Sequence, residues 1–457
     1  EDWNLAVSVL TESGLISAEA NGTLDAHPLL REYFALQVRD HHPEAWRAGH
    51  GRLFEHLRDT TPYQPDTLEG LQPLYQAVAH GCHAGRLEEA RGGIYDRRIL
   101  RGSGRDGFFS INNLGAFGAD LGALACFFDS PWCIVSPSQS KAAQAWLLNE
   151  AASRLRAMGR LIEAKEAMQN SIGTDVAEKS WKGAAISASN LSEIERTLGE
   201  ISASLRDAEK ARDFADRSGD PFWRMGTRTN YASALHQVGR RAEALLLFRE
   251  AELMQAEREP RCPLLHSVQG FAYCDLQLAE AEREAGRRKG IARKVPVLAE
   301  AIRKVGARAS YAIKIAELNQ WLLDIALDHL TLGRAALYRA ILEGSDLALA
   351  RSAIEQAVAG LRRAGTTHHV PKALLTRAWF HFRENNPAAA RADLDEAQEI
   401  AERGPMPLYL ADIALYRGRL FGDRAALAEA RRLIVKHGYG RRLGELEDAE
   451  AALGAAG

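Results

Sequence analysis

The feature that most restricts how this chain can fold is a repeat near its C-terminal end. Ala348-Leu349-Ala350-Arg351 recurs as Ala388-Ala389-Ala390-Arg391 and again as Ala428-Glu429-Ala430-Arg431, a period of 40 residues kept twice. Inside the copies, Ala350, Ile354 and Ala357 match Ala390, Leu394 and Ala397. A spacing of four and then three sets all three residues on one helical face, and the small ones let a neighbouring helix come close.

That small-large-small face is the second-helix pattern of tetratricopeptide-type units, whose usual length is about 34 residues. A 40-residue period lies nearer to HEAT-like lengths, so longer helices or loops are expected. Upstream, Gly159-Arg160 followed by Glu163-Ala164 returns as Gly239-Arg240 followed by Glu243-Ala244, 80 residues on. Between them Leu205-Arg206-Asp207-Ala208 and Ser218-Gly219-Asp220-Pro221 read as an offset unit. Helix-pair repeats bury their apolar faces only against their neighbours. The fold class expected is therefore all-α: a tetratricopeptide-like superhelical solenoid over 141–457, preceded by a helical linker with first repeat-like helices over 46–140.

Composition agrees, with only 15 prolines in 457 residues. The weakly patterned stretch Gly102–Ser140, rich in Gly and Phe, reads as a joining loop, and 286–295 reads as a basic inter-helix insertion. Charge is balanced, 58 basic against 60 acidic side chains. This lacks the basic stripe of a nucleic-acid binder. Five scattered cysteines make no disulfide framework. No apolar run reaches the length of a membrane helix. A soluble cytoplasmic chain is expected, with no nucleic-acid or membrane partner. Because it opens on Glu1 inside an amphipathic pattern (Trp3, Leu5, Val7, Val9, Leu10), it is expected to be a piece of something longer.

Two groups of segments carry a more specific likeness. The first is Leu-Thr-Glu-Ser-Gly-Leu-Ile from Leu10, Ala-His-Pro-Leu-Leu-Arg-Glu-Tyr-Phe from Ala26 and Ala-Trp-Arg-Ala-Gly-His-Gly-Arg-Leu from Ala45. It resembles the end of the winged-helix domain of bacterial STAND NTPases, the NACHT and NB-ARC relatives, and residues 1–45 are assigned to it. The second resembles the repeat sensor half of such proteins: the run from Leu74 to Arg86, Gly-Phe-Ala-Tyr-Cys-Asp-Leu from Gly270, the run from Leu322 to Ala335, and Gly-Tyr-Gly-Arg-Arg from Gly438.

The resemblance implies a sensor and autoinhibitory module that recognises a trigger protein or peptide, phage-encoded ones included, in antiviral defence. It implies the parent's own nucleotide-binding domain as a second partner. A constitutive tetratricopeptide scaffold or adaptor, and the ligand-sensing part of a STAND transcription activator, are the alternatives. In NB-ARC relatives a Met-His-Asp motif sets its histidine against the β-phosphate of ADP. Here Ala26-His27-Pro28 stands at that place, so His27 is either that nucleotide contact or a cap of the wing. ATP or ADP is expected in the full-length parent and no cofactor in this chain.

No Gly-rich run ending in Gly-Lys-Ser/Thr is present to cradle phosphates. Gly102 to Gly107 spells G-x-G-x-x-G but follows a helical pattern rather than a strand, so it reads as a loop. His80, Cys82 and His83 lie close in sequence, as do His41-His42 and His368-His369, yet zinc wants four ligands and no further cluster stands at ligand spacing. No nucleophile elbow occurs. No enzyme and no metal site are expected.

Recognition is the positive expectation. In such superhelices the first helix of each pair lines the concave groove. The groove positions read from the repeat register are Asn149 and Arg156, Asn190 and Glu193, His236 and Gln237, Arg334 and Tyr338, Trp379 and Arg383, and Asp412 and Arg419. The arginines are expected to be exposed, whereas Tyr338 and Trp379 taken singly are expected to pack between repeats.

Overall fold

The computed structural model describes residues 2–18, 24–103, 107–287 and 295–454. The chain divides into two units, Glu1–Ile99 and Leu100–Gly457.

The first unit opens with α1 (Asp2–Glu12), a hairpin of β1 (Ile16–Ala18) and β2 (Leu24–Ala26), and α2 (Pro28–His41). The strands are antiparallel with Ile16 opposite Ala26. Neither α1 nor α2 buries a side chain. The core of this unit begins only where α3 (Pro43–Thr60) packs on α4 (Leu68–His83) through Phe54, Leu71, Leu74 and Val78. A π-helical segment, Glu89–Leu100, follows. From it the Arg98 guanidinium donates to the carbonyls of Arg58, Thr61 and Tyr63 at 2.8 to 2.9 Å, satisfying the open C-terminal end of α3.

In the second unit, Gly102–Ser140 is not a loop. It holds α5 (Phe109–Asn112), α6 (Phe117–Ala125) and a hairpin of β3 (Phe128–Ser130) and β4 (Ile134–Val135). The phenylalanines that marked it as irregular include Phe117 and Phe127, both buried. Phe117 packs at the Gly365 turn that follows α16. Of the G-x-G-x-x-G run, 104–106 lie outside the described residues, as do 288–294 of the basic insertion.

From Lys141 onward the chain is a tetratricopeptide-like solenoid of helix pairs. They are α7 (Lys141–Ala157) with α8 (Leu161–Ala177), α9 (Trp181–Thr197) with α10 (Ile201–Ser218), α11 (Pro221–Val238) with α12 (Arg241–Arg258), and α13 (Ser267–Gly286) with α14 (Val295–Asn319). Then come α15 (Leu322–Glu343) with α16 (Ala348–Arg363), α17 (Val370–Arg383) with α18 (Pro387–Arg403), α19 (Pro407–Phe421) with α20 (Arg424–His437), and the final helix α21 (Leu443–Gly454).

The small-large-small face runs through the second helices. Ala350, Ile354, Ala357, Ala390, Leu394 and Ala397 are fully buried, and the same spacing recurs at Ala164-Met168-Ser171, Ser204-Ala208-Ala211 and Ala244-Phe248-Ala251, also fully buried. The middle unit is therefore in register rather than offset. Its turn glycine, Gly199, lies 40 residues from both Gly159 and Gly239, and all three have positive φ (81°, 73° and 92°) where a two-residue turn reverses the chain. Only glycine takes that conformation without strain.

The solenoid coils tightly enough for its later pairs to meet its earlier ones. A Cβ on Gly159 would stand 3.9 Å from the Gly404 Cα, and one on Gly115 only 2.7 Å from the Arg363 carbonyl. The His437 Nδ1 lies 3.0 Å from the Gly199 carbonyl. At the closest backbone approach among the described residues, a Cβ on Gly440 would lie 2.0 Å from the Val238 carbonyl oxygen. Gly440→Ala should therefore destabilise the protein by about 1–3 kcal/mol. Gly306, inside α14 with nothing within 4 Å of its would-be Cβ, is the control; Gly306→Ala should be stabilising by about 0.5–1 kcal/mol. Urea unfolding of both variants checks this, and an unaltered Gly440→Ala would mean the two stretches do not touch.

Candidate functional site

Where the coils meet, the first helices turn their polar side chains inward onto α13. This helix carries two carboxylates one helical face apart, Asp275 and Glu282, both almost fully buried. Asp275 accepts from Arg334 Nη1 of α15 at 2.7 Å and from Lys372 Nζ of α17 at 2.7 Å, and it pairs with Arg441 from the turn after α20. Glu282 accepts from Arg334 Nη2 at 3.1 Å and Arg442 Nη1 at 3.0 Å. The Arg442 guanidinium also donates through Nε to Asp412 at 2.7 Å and through Nη1 to Glu445 at 2.5 Å. Glu445 in turn accepts from Arg419 Nη1 at 2.8 Å.

This is one connected ionic network. Burial alone would raise the Asp275 carboxyl, but Arg441, Lys372 and Arg334 keep it well below the usual carboxylate range. Lys372 is pushed the other way: burial lowers its ammonium to about 8, opposed by Asp275 and reinforced by Arg334 and Arg441. An aromatic strip lies alongside. The Tyr338 and Trp379 rings stand 5.4 Å apart, Trp379 and Tyr416 are 5.8 Å apart edge to face, and the Arg419 guanidinium sits 4.9 Å from the Trp379 ring centroid.

The positions read from the repeat register fall on first helices, and most turn up on this inner face. Asn190 Nδ2 donates to Asn149 Oδ1 at 2.9 Å, and Arg156 pairs with Glu193. His236 is buried, its Nε2 3.9 Å from Asp275 Oδ2. Gln237 is half-buried, and Asp412 accepts from both Arg442 and Tyr439. Tyr338 and Trp379 pack between helices as expected.

The expectation of exposed arginines needs correction. Arg334 is 2% exposed with both ends of its fork on carboxylates, and the Arg419 and Arg156 side chains keep only 8% and 20% of their surface. Arg334 is enclosed by carboxylates of α13, Arg419 by Glu445 of α21 and Arg156 by Glu193 of α9, partners on other repeats that a single repeat cannot reveal. Arg383 alone of the four is exposed, at the end of α17 and outside the strip.

Sequence reasoning missed Asp275, Glu282, Lys372, Arg441 and Arg442. A signal existed: Asp275 stands in the apolar run Phe271-Ala272-Tyr273-Cys274-Asp275-Leu276, where an unpaired carboxylate would be costly.

In the first unit, His27 caps α2, its Nδ1 accepting from the Leu29 amide at 3.3 Å, with Pro28 in the first helical turn. His80 and His83 meet a third imidazole, His50 of α3. The His50 and His80 Nδ1 atoms are 2.7 Å apart, and the His50 ring lies 4.0 Å from Trp46. No group of three or more such residues is arranged to hold a metal among the described residues. No described helix is long and apolar enough to cross a membrane.

No family model matches the chain, and no curated protein matches it. Among solved structures, the crystal structure of Rap protein complexed with competence and sporulation factor aligns over 69% of this chain and 91% of that one. The alignment has 11% identity and a TM-score of 0.43. The helix-pair architecture is read from this chain's own geometry.

Two predictions follow from these placements. Removing one partner of a buried ionic network leaves the others uncompensated. Arg334→Ala should cost about 3–5 kcal/mol in denaturant unfolding, while Arg383→Ala stays within about 0.5 kcal/mol; equal effects would contradict the burial assigned here. The second concerns pH. Burial, then the charges of His80 and His83, lowers His50 to about 4 from an ordinary 6.5. An opened α3–α4 pair takes up protons more readily than the packed one, so its packing is fully favoured above 6.5 and is lost as pH falls towards 4. Hydrogen exchange of the α3 and α4 amides should accelerate over that window, and His50→Gln should flatten the change.

Proposed function

We propose that this chain is the sensor and autoinhibitory module of a bacterial STAND NTPase, binding a trigger protein in antiviral defence and relaying that event to a nucleotide-binding domain. One observation carries the reading. The α1–hairpin–α2 segment, where the likeness to a winged helix lies, buries no side chain in its helices and presents Trp3, Leu5, Val9, Leu29, Tyr33 and Phe34 to solvent. Apolar residues gathered so densely mark a surface that another domain covers. A nucleotide-binding domain is the occupant proposed, with His27 at its margin as the single contact this chain would offer to ADP.

The second unit supports the sensor half of the reading. A permanently open adaptor groove would leave its recognition residues free, whereas Arg334, Arg419 and Asp412 are engaged with partners of their own chain. A trigger that binds here has to compete with those pairs, which couples recognition to opening of the coil.

With no phosphate loop, the chain itself is expected to show no micromolar ATP binding in calorimetry and no hydrolysis. Tight binding would count against placing nucleotide chemistry in a separate domain. The trigger is sought by affinity capture from phage-infected and uninfected cells. A phage protein retained by the wild-type chain and lost with Arg441→Ala is the result expected. Recovery of the same housekeeping proteins from both cultures would contradict the defence role.

A further inference from the structure

On the α7–α11 side of the coil the ionic network continues into a group in which cations outnumber carboxylates. Arg156 of α7 pairs with Glu193 of α9, and the next turn of α9 adds Arg196, whose Nη1 donates to Asn230 Oδ1 at 2.9 Å. Opposite them, His368 and His369 precede α17, with ring centroids 4.2 Å apart. Lys372 follows one turn on, its ammonium 2.7 Å from Asp275 and 5.0 Å from the Phe271 ring centroid. Phe271 in turn lies edge-on to His369 at 6.4 Å. Arg441 closes the group from the C-terminal turn.

Four cations, Arg156, Arg196, Lys372 and Arg441, thus face three carboxylates, Glu193, Asp275 and Glu282, of which Asp275 is shared with Arg334, and Glu282 with Arg334 and Arg442. Several buried donor positions here have no hydrogen-bond partner among the described residues: Arg156 Nε, Arg441 Nε and His368 Nδ1. Yet the group is not sealed. The side chains of Arg156, Glu193 and Lys372 keep 20%, 23% and 20% of their surface, and Arg196, His369 and Tyr409 are half-buried.

We infer that this inner face is a binding site for a small oxyanion-bearing ligand, a phosphate or carboxylate held by Arg156, Arg196 and Lys372, with the Phe271 and His369 rings against its organic part. Guanidinium forks and an ammonium converging on one space recognise oxyanions bidentately and by charge. Imidazoles caught among cations stay neutral, which leaves them able to donate without adding charge: burial first, then Arg156, takes His369 down to about 3. The inference rests on the proposed sensor role only in taking the inner face as the receiving surface.

The test is calorimetry of the full chain with sulfate, adenosine monophosphate, citrate and a tetraglutamate peptide. Expected is one-to-one binding of at least one small oxyanion, weakened at least about tenfold by Lys372→Gln and by Arg156→Gln. Arg403→Gln, an exposed arginine on α18, should leave it unchanged. Which of adenosine monophosphate and citrate binds more tightly tells phosphate from carboxylate recognition. Sulfate keeps its charge from pH 7 to 9.5. Its affinity should fall as pH rises through about 8, where Lys372 loses its proton, and the fall should vanish in Lys372→Gln. Thermal melts of each variant separate lost binding from lost folding.

Weak binding equal in all variants, or none, overturns the inference. If in that case the peptide or a captured phage protein still binds, the sensor role stands without a small ligand. If nothing binds by either route, both fail.

Discussion

Two carboxylates on α13 hold the second unit in its coil. Asp275 and Glu282 sit seven residues apart, two turns along one helical face, and between them they engage α15, α17 and the turn after α20. The link to α15 joins neighbouring pairs, where the small-large-small face already locks each second helix to its surroundings. Contacts across the coil are different. They join residues 166 positions apart at Asp275–Arg441 and 238 apart at Gly199–His437, with Ile201 in one apolar cluster with Leu408 and Leu415.

Charge is a costly material for that purpose. Each ion loses several kcal/mol of hydration on burial, and an apolar core of the same shape would be as stable or more so. What the ionic network provides instead is directionality and reversibility. A guanidinium that reaches both Asp275 and Glu282 fixes the register of its own element on α13, as Arg334 does from the adjacent pair and Arg441 from the C-terminal turn. It also leaves the contact open to competition by any ligand with better-placed oxyanions, which an apolar seam would resist. Backbone contact at Gly440 and Gly239 brings the coils close enough for the pairs to form.

The local part of this structure was legible in the sequence. Period, helix pairing, the buried Ala350-Ile354-Ala357 face and the assignment of groove positions to first helices all follow from spacing along one or two repeats. Exposure of those positions did not, because it depends on what the coil brings opposite them. Arg334 and Arg383 are alike in the sequence, yet one is enclosed by α13 and the other meets solvent. The same reason hid the third imidazole of the His80–His83 pair, which α3 supplies from 30 residues away. Gly102–Ser140 was misread for a different reason: its short helices and hairpin fall below the length at which periodicity is visible.

Asp275 and Arg441 bind α13, in the middle of the coil, to its C-terminal turn. A double-mutant cycle on the full chain, with Asp275→Asn, Arg441→Gln and the pair, measured by urea unfolding of the second unit, addresses that link directly. The account predicts a coupling energy of at least about 1.5 kcal/mol, as found for close buried charge pairs. Additivity within about 0.5 kcal/mol would contradict it, because the two charges would then stabilise their surroundings independently and the coil would be closed by something else.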